Sequence, residues 1–167
     1  TEDGEITGTI SGGCLESDAI RKSLLAISQQ QTKLVAYNSM DDDDFTEGVQ
    51  LGCNGIVYIL FEPIDAAIEN NPVALLEKTL NQKQPLALVT IFNKDNLQGR
   101  QAGTIAIFNN ENVSSAVQAN YLLAEVADDI KAALLQQRSV IRHYPEKKFS
   151  AFINIIKPAV QLVIAGA

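Results

Sequence analysis

The stretch "DGEITGTISGGCLESDAIRKSLL", Asp3–Leu25, decides how the chain is read. Asp3-Gly4 is a turn pair, and the β-branched residues on either side of it read as strand, turn and strand. Two glycines and a cysteine then stand directly before apolar residues at helical spacing: Leu15, Ala19, Ile20, Leu24 and Ile27. With Glu16 and Asp18 in the first turn, where the helix dipole favours acids, this predicts a helix that ends near Gln29. Glycines at such a strand-to-helix turn let the backbone approach a ligand, and the free N–H groups of the first helical turn suit an anion such as a phosphate. A cysteine placed there has its pKa lowered and becomes a soft thiolate ligand, modestly so because Glu16 opposes the effect. The plainer alternative is a tight turn that closes over a small buried cysteine.

Working outward, "LGCNG", Leu51–Gly55, repeats the setting: the second cysteine, Cys53, lies between glycines just before the apolar run "GIVYILFEP". The unbroken apolar character of that run predicts a strand buried on both faces. "TKLVAYN", Thr32–Asn38, is a strand before it, and the acidic run Asp41–Asp44 between them is a solvated loop without the spacing of a calcium site. Further on, Asn71 and Pro72 cap a helix through "VALLEKTLNQ". "PLALVTIFN" and "GTIAIFN" are strands around the loop "KDNLQGRQA", in which Arg100 reads as a solvated side chain. Ser114 and Ser115 are expected to open a long helix with Val117, Tyr121, Ala124, Ile130 and Leu134 facing inward. "RSVIRHY" and "FSAFINII" read as a hairpin, with His143 a polar residue at the strand edge rather than a catalytic base. The order predicts a mixed α/β fold, a sheet domain over 1–157 with flanking helices, followed at 158–167 by the first strand of a Rossmann-like domain in "LVIAGA".

The 167 residues suffice for a real core, and 20 acidic against 13 basic residues give a net charge of −7. That balance argues against nucleic acid or an anionic membrane as the main partner. No apolar run reaches the roughly 20 residues of a membrane span, and no leader opens the chain, so a soluble cytoplasmic protein is expected. Two distant cysteines in a chain of this length read as reduced thiols, and one histidine far from both offers no zinc site. Both ends read as cuts within a longer protein, and the strand edge left at Thr1 suggests a homodimer or packing against further segments.

Taken in order, "DGEITGTISGGCLESDAIRKSLL", the acidic stretch, "LGCNGIVYILFEPI" and the final "IKPAVQLVIAGA" resemble the XdhC/CoxI family of xanthine dehydrogenase accessory proteins. The resemblance sets Gly12, Gly13, Cys14 and Glu16 on the family's GGC-x-E turn, and Gly52, Cys53, Asn54 and Gly55 on its second cysteine–glycine turn. Asn54 replaces a glycine there, and the family's opening strand with its arginine loop has no counterpart in this sequence. Gln84–Phe108 resembles that opening segment in outline, as if the domain held two related halves.

The resemblance implies a cofactor chaperone rather than a catalyst. Such a protein binds the molybdenum cofactor (molybdopterin), assists its sulfuration and inserts it into a xanthine dehydrogenase-like molybdenum hydroxylase, with a cysteine desulfurase as candidate sulfur donor. It also implies NAD(P) binding by a complete Rossmann domain. The two cysteine–glycine loops are then expected side by side in one cleft. The alternatives from the residues themselves are an NAD-dependent oxidoreductase, on "LVIAGA", and a redox enzyme that uses Cys14, which lacks an evident base.

Overall fold

A computed structural model describes residues 1–10, 14–38, 55–80, 82–109, 113–115 and 120–159, with Cys14 described by its backbone alone. The fold is mixed α/β, as the sequence predicts. Its elements are α1 (Cys14–Gln29), β1 (Lys33–Asn38), β2 (Ile56–Phe61), α2 (Pro72–Glu77), β3 (Leu86–Phe92), β4 (Gly103–Phe108), β5 (Val113–Ser115), α3 (Asn120–Gln136), β6 (Val140–Tyr144) and β7 (Phe149–Ile156). The chain divides into two compact units, one of Thr1–Ile64 with Phe92–Gly103, the other of Asp65–Ile91 with Thr104–Ala167.

In the first unit β1 and β2 form an antiparallel pair, with Leu34 opposite Leu60 and Tyr37 opposite Val57. Helix α1 packs on this hairpin through Ala19 and Ala26, which meet Phe61 with Val35 and Ile59 beside it. Small residues on the helix let the aromatic ring come close, which is why the cluster closes with so few side chains. The expected burial of β2 on both faces does not hold: Phe61 is buried, while Ile56 and Tyr58 are exposed. A strand is covered on both faces and edges only when something flanks it, and among the described residues the sheet of β1 and β2 has two strands. The turn at Asp3-Gly4 does form, with the Gly4 N–H donating to the Thr1 carbonyl at 3.0 Å and Gly4 at φ 79°. Residues 5–10 that follow are not a strand, because no ladder partner lies beside them among the described residues.

The loop Phe92–Gly103 owes its shape to one buried amide. The Gln101 side chain accepts from the Asn93 N–H at 2.6 Å and donates to the Asn96 carbonyl at 2.9 Å, and its own N–H reaches the Thr32 carbonyl at 3.0 Å. Gly103 ends the loop at φ 79°, where a Cβ would run into the Glu62 carboxylate.

The second unit is built on a five-stranded sheet in the order β5-β4-β3-β7-β6. Its core joins Val89 and Ile91 of β3, Ile105 of β4 and Ile153 of β7 to Val126 and Ile130 of α3. Asn71 caps α2 by accepting from the Val73 and Ala74 N–H groups, with Pro72 at the first helical position as predicted. The helix stops earlier than the sequence suggests, since the bonds from Thr79 to Leu76 and from Leu80 to Glu77 tighten into single turns. Ser114 and Ser115 correct the helix start: they lie in β5, paired with Ile107 and Ala106, and α3 begins at Asn120. Its buried stripe is Leu123, Val126, Ile130 and Ala133, so Ile130 is buried and Leu134 packs against the core as expected, whereas Tyr121 and Ala124 face solvent. Val117 lies outside the described residues. The β6–β7 hairpin forms as predicted, and His143 on its edge strand shares a 2.9 Å hydrogen bond with Ser150, its cross-strand partner. Of the strand expected at 158–167, residues 160–167 lie outside the described residues.

Candidate functional site

The site is read from the start of α1. Cys14 is the first residue of the helix, and Glu16 sits in its first turn. One carboxylate oxygen of Glu16 accepts both from the Thr9 hydroxyl and, at 3.2 Å, from the Ile10 N–H. The segment that leads into Ser11–Gly13 is thereby tied back on the helix it precedes. An acidic residue here gains twice, from the helix dipole and from two donors, which is the physical reason for its place two residues after the cysteine. Behind this tie a cavity of about 440 Å³ opens between residues 1–10 and α1, lined on the helix side by Ala19, Ile20, Ser23, Leu24 and Ile27.

One turn further on, Asp18 ties α1 to β1. Its carboxylate accepts from the Tyr37 hydroxyl at 2.7 Å and pairs with Arg21 at 2.6 Å. Burial by itself would raise its pKa, but the hydrogen bonds from Tyr37 and Arg21 and the charge of Lys22 outweigh burial and hold it below the ordinary carboxylate value. Burial, reinforced by the anionic Asp18, pushes the Tyr37 hydroxyl in the opposite direction, well above the usual tyrosine value. The pair fixes helix and strand and is not poised for proton transfer.

Of the residues singled out in the sequence, Cys14 and Glu16 are placed at the start of α1, and Gly55 immediately precedes β2. Gly12, Gly13, Gly52, Cys53 and Asn54 lie outside the described residues. The expected adjacency of the two cysteine loops therefore rests on residues outside the described set. Arg100 is exposed in its loop, as read. Gln101 and the Asp18–Tyr37 tie were missed, because their partners lie far along the sequence and carry no local signature. Among the described residues no group of His, Cys, Asp or Glu is arranged to hold a metal ion, and no helix is long and apolar enough to cross a membrane.

The fold and this site define an α/β protein in which Thr9 and Ile10 are clasped by Glu16 to the start of α1. Residues 1–38, the segment that holds the clasp, match the model of the XdhC and CoxI family. A Bacillus subtilis protein described as a probable subunit of xanthine dehydrogenase is 34% identical over 61 residues, 36% of this chain and 18% of that protein. The crystal structure of a xanthine dehydrogenase from Bacillus halodurans matches at a TM-score of 0.63 and 23% identity, which speaks for the fold. That match covers 94% of this chain and 41% of the solved chain. The chain thus spans less than half the length of both relatives.

Proposed function

We propose that the chain is the cofactor-handling part of an accessory protein that serves a xanthine dehydrogenase-type molybdenum hydroxylase. The observation that carries this reading is the coincidence of the family match, residues 1–38, with the clasp that Glu16 forms at the start of α1. The names of the relatives, one a xanthine dehydrogenase and the other a probable part of one, support the partner class.

The residue types read at these two turns suit the molybdenum cofactor, a phosphorylated pterin dithiolene. A phosphate needs amide donors at a helix start, and soft molybdenum and sulfur suit a thiol. Glu16 sits beside this position, but its carboxylate is already engaged by Thr9 and Ile10, which reduces its repulsion of an incoming anion. In this reading Gly12, Gly13 and Cys14 hold the cofactor with Gly52, Cys53, Asn54 and Gly55, and Glu16 positions the first of these loops. When bound, the cofactor supplies the molybdenum and dithiolene chemistry that the hydroxylase uses. The chain's own residues bind the phosphate, present the Cys14 thiol and keep the turn in place. Sulfuration with a cysteine desulfurase and a homodimeric assembly belong to the same proposal. The alternative oxidoreductase reading rests on Leu162–Ala167, and no described residue favours it.

The test is reconstitution of a cofactor-free hydroxylase with molybdenum cofactor and this protein. Wild-type protein is expected to raise activation, and Cys14→Ser to lower it at least several-fold with an unchanged melting temperature. Full activation by Cys14→Ser would remove the thiol from the mechanism.

A further inference from the structure

The chain repeats one module, and the two copies carry different charges at equivalent positions. Residues 26–37 and 133–144 align without a gap at a constant offset of 107, from Ala26 and Ala133 to Tyr37 and Tyr144. Both helices end on a left-handed glutamine, Gln30 at φ 49° and Gln137 at φ 50°, which is uncommon for a residue with a side chain. In the second copy Tyr144 donates to Asp129, which also pairs with Arg142 at 2.9 Å. In the first copy the tyrosine bond falls one turn earlier, on Asp18, and the position equivalent to Asp129 at the same offset is Lys22. The equivalent of Val140 is Lys33. Where the second copy sets a cation against an acid, the first holds two cations.

These two lysines line one cavity. It has a volume of about 370 Å³ and lies between α1, β1 and the loop that carries Leu97 and Gln98, all within the first unit. Ala26, Leu34 and Phe61 give it a buried apolar floor, and Leu97 adds an apolar wall. The Lys33 ammonium donates to the Gln98 carbonyl at 3.3 Å, a neutral acceptor. No carboxylate lines the cavity, and among the described residues no Asp or Glu lies at ion-pair distance from either lysine. Asp18, whose carboxylate feels the Lys22 charge, is engaged by Tyr37 and Arg21. One lysine stem that covers apolar surface is ordinary. Two half-buried lysines on one cavity repel each other unless an anion joins them, and a chain with 20 acidic residues places none of them there.

We infer that this cavity is a binding site for a small organic carboxylate with an apolar body. Two ammonium donors suit the two oxygens of a carboxylate and fix its head by charge-assisted hydrogen bonds, while the floor takes the apolar body. The volume falls within the roughly 300–1,000 Å³ of small-molecule pockets. The loop side is held in shape by the buried Gln101 amide, which bonds Asn93 and Asn96 on either side of the turn before Leu97. The cavity shares no residue with the Glu16 clasp, and the inference is independent of the cofactor reading.

The probe is phenylacetate, titrated into the chain and followed by the amide shifts of α1, β1 and the loop at Leu97 and Gln98. The expected result is saturable shifts centred on Lys22, Leu34 and Gln98. Phenylacetamide, which keeps the ring, drops the charge and leaves the protein unaltered, is expected to bind at least about tenfold more weakly. The double variant Lys22→Gln with Lys33→Gln is expected to keep its melting temperature and to bind phenylacetate at least about tenfold more weakly. No saturable binding at millimolar phenylacetate, shifts confined to other segments, equal binding of the amide, or undiminished binding by the folded double variant would each overturn the inference.

Discussion

Replacing Tyr37 by Phe removes one hydroxyl and one hydrogen bond, the 2.7 Å donation to Asp18, and leaves the ring in place. A hydrogen bond to a charged acceptor contributes about 1.5–3 kcal/mol net. The Asp18 carboxylate keeps Arg21 at 2.6 Å after the change, but its side chain is 15% exposed, so water replaces the lost donor incompletely. The expected cost is therefore about 1–2 kcal/mol at neutral pH, or a melting temperature lowered by roughly 2–8 °C. The pH dependence has a definite sign. Asp18 titrates below its ordinary value in the folded protein, so its contribution is present above the unfolded carboxylate pKa and is lost as pH falls through the lower folded one. Urea unfolding of wild type and Tyr37→Phe at neutral and strongly acidic pH reads this directly. The gap between them should shrink to below about 0.5 kcal/mol in acid, where the protonated carboxyl is the weaker acceptor. A gap that is absent at neutral pH, or that persists undiminished in acid, would refute the assignment of this bond as charge-assisted.

Three further outcomes follow from the same geometry. The hydroxyls of Tyr37 and Tyr144, both raised by burial and by an anionic aspartate partner, should ionise only after a free tyrosine analogue does, as read by tyrosinate absorbance. Their contribution is complete below the ordinary tyrosine pKa and is lost as pH rises through the raised values. Gly103→Ala should destabilise by about 1–3 kcal/mol in chemical denaturation, since its positive φ strains an L residue and the new Cβ meets the Glu62 carboxylate. Glu16→Ala should speed hydrogen exchange at the Ile10 amide while the amides of α1 beyond its first turn keep their protection, because it releases the clasp and leaves the helix.

Much of the fold was legible because its signals are local. Apolar spacing after Cys14, the Asn71-Pro72 cap and the β-branched runs at 33–38, 86–92 and 149–156 each specify an element from neighbouring residues. What was misread depends on distant partners. Ser114 and Ser115 look like a helix start, yet they are drawn into β5 because β4 offers Ala106 and Ile107 as ladder partners. The apolar run of β2 reads as doubly buried, yet burial is a property of what flanks a strand, and sequence periodicity carries none of that. In the candidate site the position of Glu16 was readable from helix-start chemistry, whereas its bonds to Thr9 and Ile10 required the chain to turn back on itself. Gln84–Phe108 drew attention as one half of an internal repeat whose other half lies outside this sequence, and the structure shows a further match, in the helix ends and hairpins of α1-β1-β2 and α3-β6-β7.

The central claim, that the clasped turn before α1 handles a molybdenum cofactor, is tested most directly by molybdenum and pterin analysis of protein purified from cells that make the cofactor. Wild-type protein should carry both in near-equal amounts. Gly13→Val, which in the proposed reading crowds the backbone at the cofactor, should lose both while the hairpin amides of β1 and β2 keep their exchange protection. Wild-type protein free of molybdenum and pterin under those conditions, or a Gly13→Val variant that retains both, would contradict the account.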